Sequence, residues 1–550
     1  MLRSSAASIV ALGGAVLIGC GDEDEPGTSG TGTPASAATG TPTEAPGTAA
    51  SGIKRGGSAT VAIDATGVTT DIDPHGQGAT AHNNMNAFSH VYKSLVDWAP
   101  GEYILEPEMA ESWESPDPTQ FIFRLRQGVQ FHHGTEMVAD DVVFSYERQF
   151  MEGVIAPYKS WLTMVDSVEA PDDYTVVYTL QYPFINFPSI FAAMRPGGIV
   201  SREFTTHNGN DLTTVASGTG PWKLKEMVPD ERLSFERSDT YFRMGDDGQS
   251  LPYMDELTYV PIIESSSAVA AVRTGEVMWA RVSSTDAEIL SRESDLRLFR
   301  TPQGWHRGWS VYPDREPMED VRVRMALNLA IDRQDLINKV PHVGYTVMSV
   351  PWYTLPDYGI APADMPAHYS AVDVAEATKL LAAAGLSELD LEVHDTGPDT
   401  SFTGASAEVL REQWRAIGVN LTNVVHPPGS FSAQRDGFPG HFFSAPWTQY
   451  PDPDFYVYNW YHTDTSERSF KPKWSDPELD SMMETARTET DLAARVEAYR
   501  AIQLYMDETV PQLSFYDAEY NEAVHNRLQG YTAHPQSRSD IGMTNAWIDA

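Results

Sequence analysis

The part of the sequence richest in groups that could hold a ligand is residues 447–461, WTQYPDPDFYVYNWY. It combines tryptophan, tyrosine and phenylalanine with two carboxylates, Asp452 and Asp454, set among prolines. Aromatic rings offer a large apolar surface, and tyrosine and tryptophan add a polar tip, which suits the wall of a ligand pocket. The competing interpretation is a core strand preceded by a turn, because aromatic clusters are usually packing.

Two carboxylates beside aromatic rings also raise the alternative of a glycoside hydrolase. That chemistry needs carboxyl groups about 5–5.5 Å apart in retaining enzymes, or about 6.5–9.5 Å apart in inverting ones. Two aspartates separated by a single proline give no reason to expect either geometry. We therefore expect no catalytic residue in this segment.

Other motifs for catalysis, metals or cofactors are weak. Residues 218–223, GTGPWK, lack the spacing of a phosphate loop, and their proline removes an amide donor. Residues 71–82 begin like a calcium loop, but His82 stands where a glutamate ligand is needed. His132 and His133 could ligate a metal, and the competing interpretation is an ordinary strand-to-turn segment. We expect no cofactor and no metal.

Composition limits the partners of the protein. The chain has 550 residues, which predicts two or three lobes, and a formal net charge of -39. So acidic a protein is repelled by nucleic acid and by anionic membrane surfaces, so no nucleic acid partner is expected. The single cysteine, Cys20, excludes a disulfide within the chain and a cysteine metal cluster.

The N-terminal segment predicts export. Arg3 precedes an apolar run, residues 9–18, which is too short to span a bilayer and leads directly to Cys20. This pattern resembles a bacterial lipoprotein signal over residues 1–20, in which the cysteine is lipidated and becomes the new N-terminus. The alternative is an ordinary cleaved signal peptide.

Residues 21–56 predict a disordered tether. They consist mostly of glycine, serine, threonine, alanine and proline, so they cannot bury a core. A flexible chain of this length spans roughly 30–36 Å. We therefore expect a globular body, residues 57–550, held outside the cytoplasmic membrane by a lipid anchor.

The body alternates strand and helix patterns. Residues 58–64 and the alternating residues 121–125 predict strands, while residues 86–96 and a segment near Ala139 predict helices.

The later part of the body carries helix caps. Asp373 with Glu376 has the spacing of a capping box, and Gly385 and Gly418 stand where helices end. Strand-like residues from Val419 onward follow. This is an α/β pattern.

Several segments of the body, in order, resemble the extracytoplasmic solute-binding proteins of ABC importers, a family that includes dipeptide-, oligopeptide- and nickel-binding proteins. The matching segments are residues 110–113 (AESW), 125–131 (LRQGVQF), 134–135 (GT), 139–142 (ADDV), 218–221 (GTGP), 322–333 (RVRMALNLAIDR), 379–385 (KLLAAAG) and 417–419 (IGV).

The resemblance implies a two-lobed periplasmic-binding-protein fold, type II and cluster C-like, with an extra domain packed on the first lobe. Lobe 1 is expected over approximately 57–304 and 515–550, with an extra subdomain over approximately 97–215, and lobe 2 over approximately 305–514. The implied function is capture of a small solute between the lobes and its delivery to ABC permease subunits.

The aromatic segment departs from the pattern of peptide-binding relatives. Many carry W-x-x-D-Y-P-D-P, in which the first aspartate pairs with the α-ammonium of the peptide. Here Gln449 or Tyr450 takes that position, depending on the alignment, and neither is anionic. Either Asp452 binds the amine, or it caps a turn and the solute presents no amine there. The first alternative predicts that Trp447→Ala and Asp452→Ala weaken binding without unfolding the lobes.

Three solutes fit these observations. A peptide is favoured by the resemblance and by Asp452. An oligosaccharide is the alternative, because sugar faces stack on aromatic rings, for which Trp305, Trp309 and Trp447 are candidates; packing is the competing role of Trp305 and Trp309. A nickel chelate fits least well, because the arginines that hold such complexes in relatives have no aligned counterpart here.

Overall fold

A computed structural model describes most of the body. The described residues are 52–63, 71–76, 82–192, 194–340, 357–361, 363–395, 402–426, 440–444, 452–465, 474–534 and 539–549. Within these ranges, no helix has both the length and the apolar character needed to cross a bilayer.

Strands form where β-branched and aromatic residues alternate with polar ones. They are β1 (Ser58–Ile63), β2 (Val96–Trp98), β3 (Leu105–Pro107), β4 (Ala110–Asp117), β5 (Gln120–Leu125), β6 (Val165–Asp172), β7 (Thr175–Leu180), β8 (Trp222–Val228), β9 (Arg232–Arg237), β10 (Glu256–Pro261), β11 (Trp279–Val282), β12 (Leu296–Val311), β13 (Leu389–Asp395), β14 (Val419–Val425), β15 (Phe442–Ser444), β16 (Gln512–His525), β17 (Leu528–Gln529) and β18 (Trp547–Ile548).

Many helices begin at a serine or aspartate whose side chain accepts a hydrogen bond from a first-turn amide. These capping residues are Ser201, Ser283, Asp320, Asp332, Asp373, Asp452, Asp476 and Asp491. The helices are α1 (His82–Val91), α2 (Ala139–Arg148), α3 (Ser189–Ala192), α4 (Arg202–His207), α5 (Ser265–Thr274), α6 (Ser284–Leu290), α7 (Val321–Leu329), α8 (Arg333–Lys339), α9 (Val374–Ala383), α10 (Phe402–Trp414), α11 (Pro453–Tyr461), α12 (Pro477–Thr488), α13 (Leu492–Thr509) and α14 (Ser539–Thr544). Short 3-10 turns are Lys159–Leu162, Ala367–Tyr369 and Arg415–Ile417.

One large sheet runs through the described residues. Its ten strands have the order β14-β13-β15-β12-β16-β11-β1-β10-β9-β8. We call β11-β1-β10-β9-β8 the first half-sheet and β14-β13-β15 the second half-sheet; β12 and β16 are the connecting strands between them. A separate four-stranded sheet has the order β4-β5-β7-β6.

The first half-sheet, the second half-sheet and the four-stranded sheet each have their own apolar core. Trp222 and Trp279 lie in a cluster on the first half-sheet, and Trp309 and Trp414 in a cluster on the second half-sheet. Phe123 belongs to a third cluster, at the four-stranded sheet. Burying side chains of this size contributes roughly 1.5–3 kcal/mol each. The chain is α/β and two-lobed, as predicted, while the exact lobe boundaries stay predictions.

Local predictions succeeded where a short pattern decides the structure. The first strand is confirmed, although it ends at Ile63, and Asp373 caps α9 through the amide of Glu376. Gly385 and Gly418 have positive φ angles of 81° and 79°. The predicted helix over 86–96 is wrong in its bounds, because α1 ends at Val91 and Val96–Trp98 instead pairs with β3.

Candidate functional site

The connecting strands β12 and β16 join the two half-sheets. Residues 296–301 of β12 pair with residues 520–525 of β16, and β16 in turn pairs with β11. At its other end, β12 pairs with β15 through residues 309–311. The middle of the two strands therefore lies between the two half-sheets.

Strands of both half-sheets end facing this middle. β11 is antiparallel to β16, and its last residue, Val282, lies opposite Asn521. β15 is antiparallel to β12, and its last residue, Ser444, lies opposite Trp309. β1 and β10 run parallel to β11, and β13 and β14 run parallel to β15. Ligands of open α/β sheets bind outside the carboxyl ends of the strands, so the site is expected here.

Irregular pairing marks the same stretch. The register shifts between Pro302 and Trp305 and again between Arg307 and Gly308. Bulges of this kind bend a strand and redirect side chains, and they are frequent beside functional sites. His306 lies between the two irregularities.

A histidine and an aspartate face each other in this middle segment. His306 is paired in register with Asp517, and their side chains are 0% and 3% exposed. The ring nitrogen Nδ1 lies 3.5 Å from the carboxylate oxygen Oδ1, longer than an ordinary hydrogen bond. Burial raises the pKa of the Asp517 carboxyl, an effect that His306 opposes.

Two arginines contribute positive charge to the same region. The Arg281 guanidinium lies 4.3 Å from the ring centre of Tyr520, and the Arg307 guanidinium lies 5.0 Å from that of Phe402. Burial lowers the pKa of Arg307. Arg307 and Asp517 therefore bring a basic and an acidic group to the middle of the connecting strands, and Arg281 lies at the adjoining end of β11.

Glu522, next to Arg281 in the strand pairing, is already engaged. Its side chain is buried and accepts hydrogen bonds from Tyr531 at 2.7 Å and from the Trp279 indole at 3.4 Å. Burial raises the pKa of Glu522, which these donors and Arg281 oppose.

Asp452 has a structural role. It caps α11 through the Asp454 amide at 2.9 Å and forms an ion pair with Arg495, whose nitrogens lie 2.7 and 2.8 Å from its two oxygens. Asn186 donates a further hydrogen bond at 2.6 Å. Burial opposes the charge of Arg495, yet Asp452 holds the pKa of Arg495 well above its usual range. This placement favours the capping alternative for Asp452 over amine binding.

Asp454 is paired as well. Arg487 donates to both of its oxygens, at 2.8 to 3.1 Å, and the Tyr499 hydroxyl donates at 3.1 Å. Because each of the two aspartates has its own guanidinium, neither resembles the free acid or base of a glycoside hydrolase.

The aromatic residues after Asp454 pack against the protein interior. Residues 453–461 form a helix, so the alternative of a core strand is wrong, because Asp452 and Pro453 start a capped helix there. Phe455 lies 5.0 Å from Trp161 and 5.6 Å from Phe184 between ring centres. The hydroxyl groups of Tyr456 and Tyr461 both donate to Gln512. These rings build the core rather than a ligand wall.

The remaining predicted site residues divide into two groups. Trp309 is fully buried and packs on Trp414, Phe442 and Phe515, which is the packing alternative and not a position for stacking a sugar. Trp305 belongs to β12, but its side chain is not described. The other predicted site residues lie outside the described residues altogether: Trp447, Gln449 and Tyr450.

The weak metal motifs have other contacts. His132 Nε2 lies 2.9 Å from the Gly220 carbonyl, and His133 Nδ1 lies 2.6 Å from the Ser217 hydroxyl. Asp73 forms a buried ion pair with Arg148. In the part of the chain that the structure describes, no three histidine, cysteine or acidic side chains are grouped to hold a metal ion.

His306 and Asp517 were not found from the sequence. Neither stands in a motif, and they belong to strands that are distant along the chain. Only the pairing of β12 with β16 brings them together.

Comparison with known proteins identifies the class. The family model of bacterial extracellular solute-binding proteins, family 5, matches residues 105–468. The chain belongs to this family, whose members bind solutes and are not enzymes.

Relatives cover most of the chain. The oligopeptide-binding protein AppA of Bacillus subtilis is 26% identical over 75% of this chain and 78% of its own. The dipeptide-binding protein of Escherichia coli is 26% identical over 81% of this chain and 87% of its own. The solved structure of AppA with a nonapeptide superposes with a TM-score of 0.75 at 22% identity, covering 90% of this chain and all (100%) of the other. That likeness shows the two-lobed fold.

Proposed function

We propose that this protein captures a peptide-like solute between its two lobes and delivers it to the permease subunits of an ABC importer. The curated relatives above are described as binding oligopeptides or dipeptides. We further propose that Cys20 carries a lipid, which holds the protein outside the cytoplasmic membrane.

The observation that carries the proposal is that β11 and β15 both end facing the middle of the connecting strands. Arg307 and Asp517 lie in this middle, and Arg281 lies at the adjoining end of β11. A peptide carries a terminal ammonium and a terminal carboxylate, so a site with both signs of charge complements it. Hinge closure of two lobes over a bound solute is the movement that a permease can recognise.

Thermal unfolding tests the solute class. The Cys20→Ser variant is exported without its lipid, unfolded in denaturant to release any bound solute and refolded. It is then heated with trialanine, maltotriose or nickel with histidine at increasing concentration. A ligand at about 100 times its Kd stabilises the folded state by about 2.7 kcal/mol, so its Tm rises with concentration.

Each outcome has a definite meaning. A rise in Tm with the peptide and not with maltotriose supports the proposal. A rise only with maltotriose or only with the nickel complex contradicts it and assigns an oligosaccharide or a metal chelate instead.

A further inference from the structure

The acidic group at the middle of the connecting strands lacks the hydrogen bonds that a buried carboxylate needs. Neither oxygen of Asp517 and neither ring nitrogen of His306 has a hydrogen-bond partner within the described structure. Their nearest approach to each other is the 3.5 Å contact. A buried polar group without a partner costs about 1–3 kcal/mol, and a charged one costs more.

Other buried carboxylates described in this protein show the usual solution. Asp452 and Asp454 each have an arginine, and Glu522 accepts two hydrogen bonds through its Oε2 oxygen, although its Oε1 oxygen has none. Asp517 has no such donors among the described residues, although burial raises its pKa and so disfavours its charge. A carboxylate kept in this condition is explained when a ligand supplies the missing donors.

The position of the pair points to the solute. Asp517 and His306 lie on the stretch of the connecting strands between the points at which β11 and β15 end, and register irregularities flank His306. Because both side chains are buried, a solute reaches them when the lobes move apart and loses its contact with water when they close.

We infer that Asp517 binds a primary ammonium group of the solute and that a ring nitrogen of His306 accepts a second hydrogen bond from it. An ammonium has three donors and no acceptor, which complements the unpartnered carboxylate. Hydrogen bonds between charged groups are about twice as strong as neutral ones. The proposed amine site thus lies on β16 and not at Asp452. This inference rests on the proposed capture of peptides.

A capture experiment with and without free amines tests the inference. The refolded, solute-free protein is mixed with a tryptic digest of casein, and a second portion with the same digest after acetic anhydride has blocked its amines. The protein is separated from free peptides by gel filtration, and the bound peptides are measured by mass spectrometry. The wild type is expected to retain at least tenfold less from the blocked digest.

The Asp517→Asn variant is the decisive comparison. It keeps the shape of the side chain and removes its charge, so capture from the untreated digest is expected to fall at least tenfold. Its preference for free amines is also expected to disappear. Asp295→Asn is the matched control, because it removes an exposed carboxylate immediately before β12, and its capture is expected to equal that of the wild type.

Stability separates binding from structural support. Asp517→Asn removes an unpartnered buried charge, so the solute-free variant is expected to resist urea at least as well as the wild type. Loss of stability together with loss of capture would assign Asp517 to structural support and overturn the inference.

Two further results would overturn it. They are unchanged capture by Asp517→Asn and equal capture of both digests by the wild type. A wild type that retains nothing from either digest instead refutes the proposed peptide function itself.

Discussion

Asp452 and Arg495 form a two-point ion pair in which both side chains are fully shielded from solvent, at 0% exposure each. Arg495 also donates to the Tyr358 hydroxyl, and that hydroxyl accepts from Asn186, which in turn donates to Asp452. The pair thereby connects α11, α13 and the segment before α3. With every oxygen of Asp452 occupied, the expectation that Asp452→Ala weakens binding without unfolding is not supported.

Breaking this pair is expected to destabilise the protein. Arg495→Met leaves the Asp452 carboxylate buried without its cation, which costs about 3–5 kcal/mol in comparable cases. The measurement is the free energy of unfolding in urea. Arg500→Met, on the same helix, removes a partly exposed partner of Glu497 and should cost only about 0–1 kcal/mol. Similar losses in both variants would refute the assignment.

The stability of the protein is expected to fall in mild acid because of His132. Burial lowers the pKa of His132 to about 4, although its contact with the Gly220 carbonyl opposes this effect. Between pH ~6.5 and ~4, His132 is protonated in the unfolded chain but not in the folded protein. The folded protein is therefore most stable above this pH range and loses stability as the pH falls through it. At pH ~5 the loss is of order 1–2 kcal/mol for one histidine.

His132→Gln provides the comparison. Glutamine keeps a hydrogen-bond donor for the Gly220 carbonyl but does not titrate. Urea unfolding at pH 8 and pH 5 should therefore show a smaller difference in the variant than in the wild type. An equal difference would exclude His132 as a source of the acid sensitivity.

The GTGP turn is expected to tolerate no side chain at its glycines. A Cβ atom on Gly218 or Gly220 would come within 2.0 or 2.2 Å of carbonyl oxygens at the end of α1. Relieving such contacts by moving the backbone costs about 1–3 kcal/mol or more, so Gly220→Ala should lower Tm.

Gly385→Ala separates crowding from backbone strain. Gly385 has a φ of 81°, but a Cβ there would meet no atom within 4 Å. Gly385→Ala should therefore destabilise the protein only through the strain of a left-handed backbone at a residue with a Cβ, roughly 1–2 kcal/mol. We expect Gly220→Ala to have the lower Tm of the two variants, and the reverse order would contradict the crowding explanation.

Lipidation of Cys20 predicts the location of the protein. In a bacterium that lipidates exported proteins, the wild type should incorporate labelled palmitate and sediment with membranes. Cys20→Ser should lose both properties while keeping its solute binding. A wild type found wholly in the soluble fraction without label would instead indicate an ordinary cleaved signal peptide.

The sequence predicted most reliably the features that depend on neighbouring residues. The cap of Asp373 on α9 and the left-handed Gly385 and Gly418 follow from short-range backbone hydrogen bonds and sterics. The two-lobed fold class was predicted from the resemblance of several ordered motifs to those of the solute-binding family.

The sequence left alternatives open where a residue's role depends on a partner that is distant along the chain. The sequence is compatible with Asp452 as an amine ligand or as a helix cap. The choice depends on its ion pair with Arg495, which only the folded structure shows. Trp309 and Phe455 could line a pocket or fill a core, and only the packing around them shows the second.

The sequence alone predicted an acidic, two-lobed solute-binding protein and an export signal that ends at Cys20. The tertiary structure decided which charged groups neutralise one another and which lack hydrogen-bond partners. His306 and Asp517 become neighbours only when β12 pairs with β16, and burial makes their missing hydrogen bonds costly. Electrostatic pairing depends on the distance between the charges and on the exclusion of water, and the amino-acid sequence alone gives neither quantity.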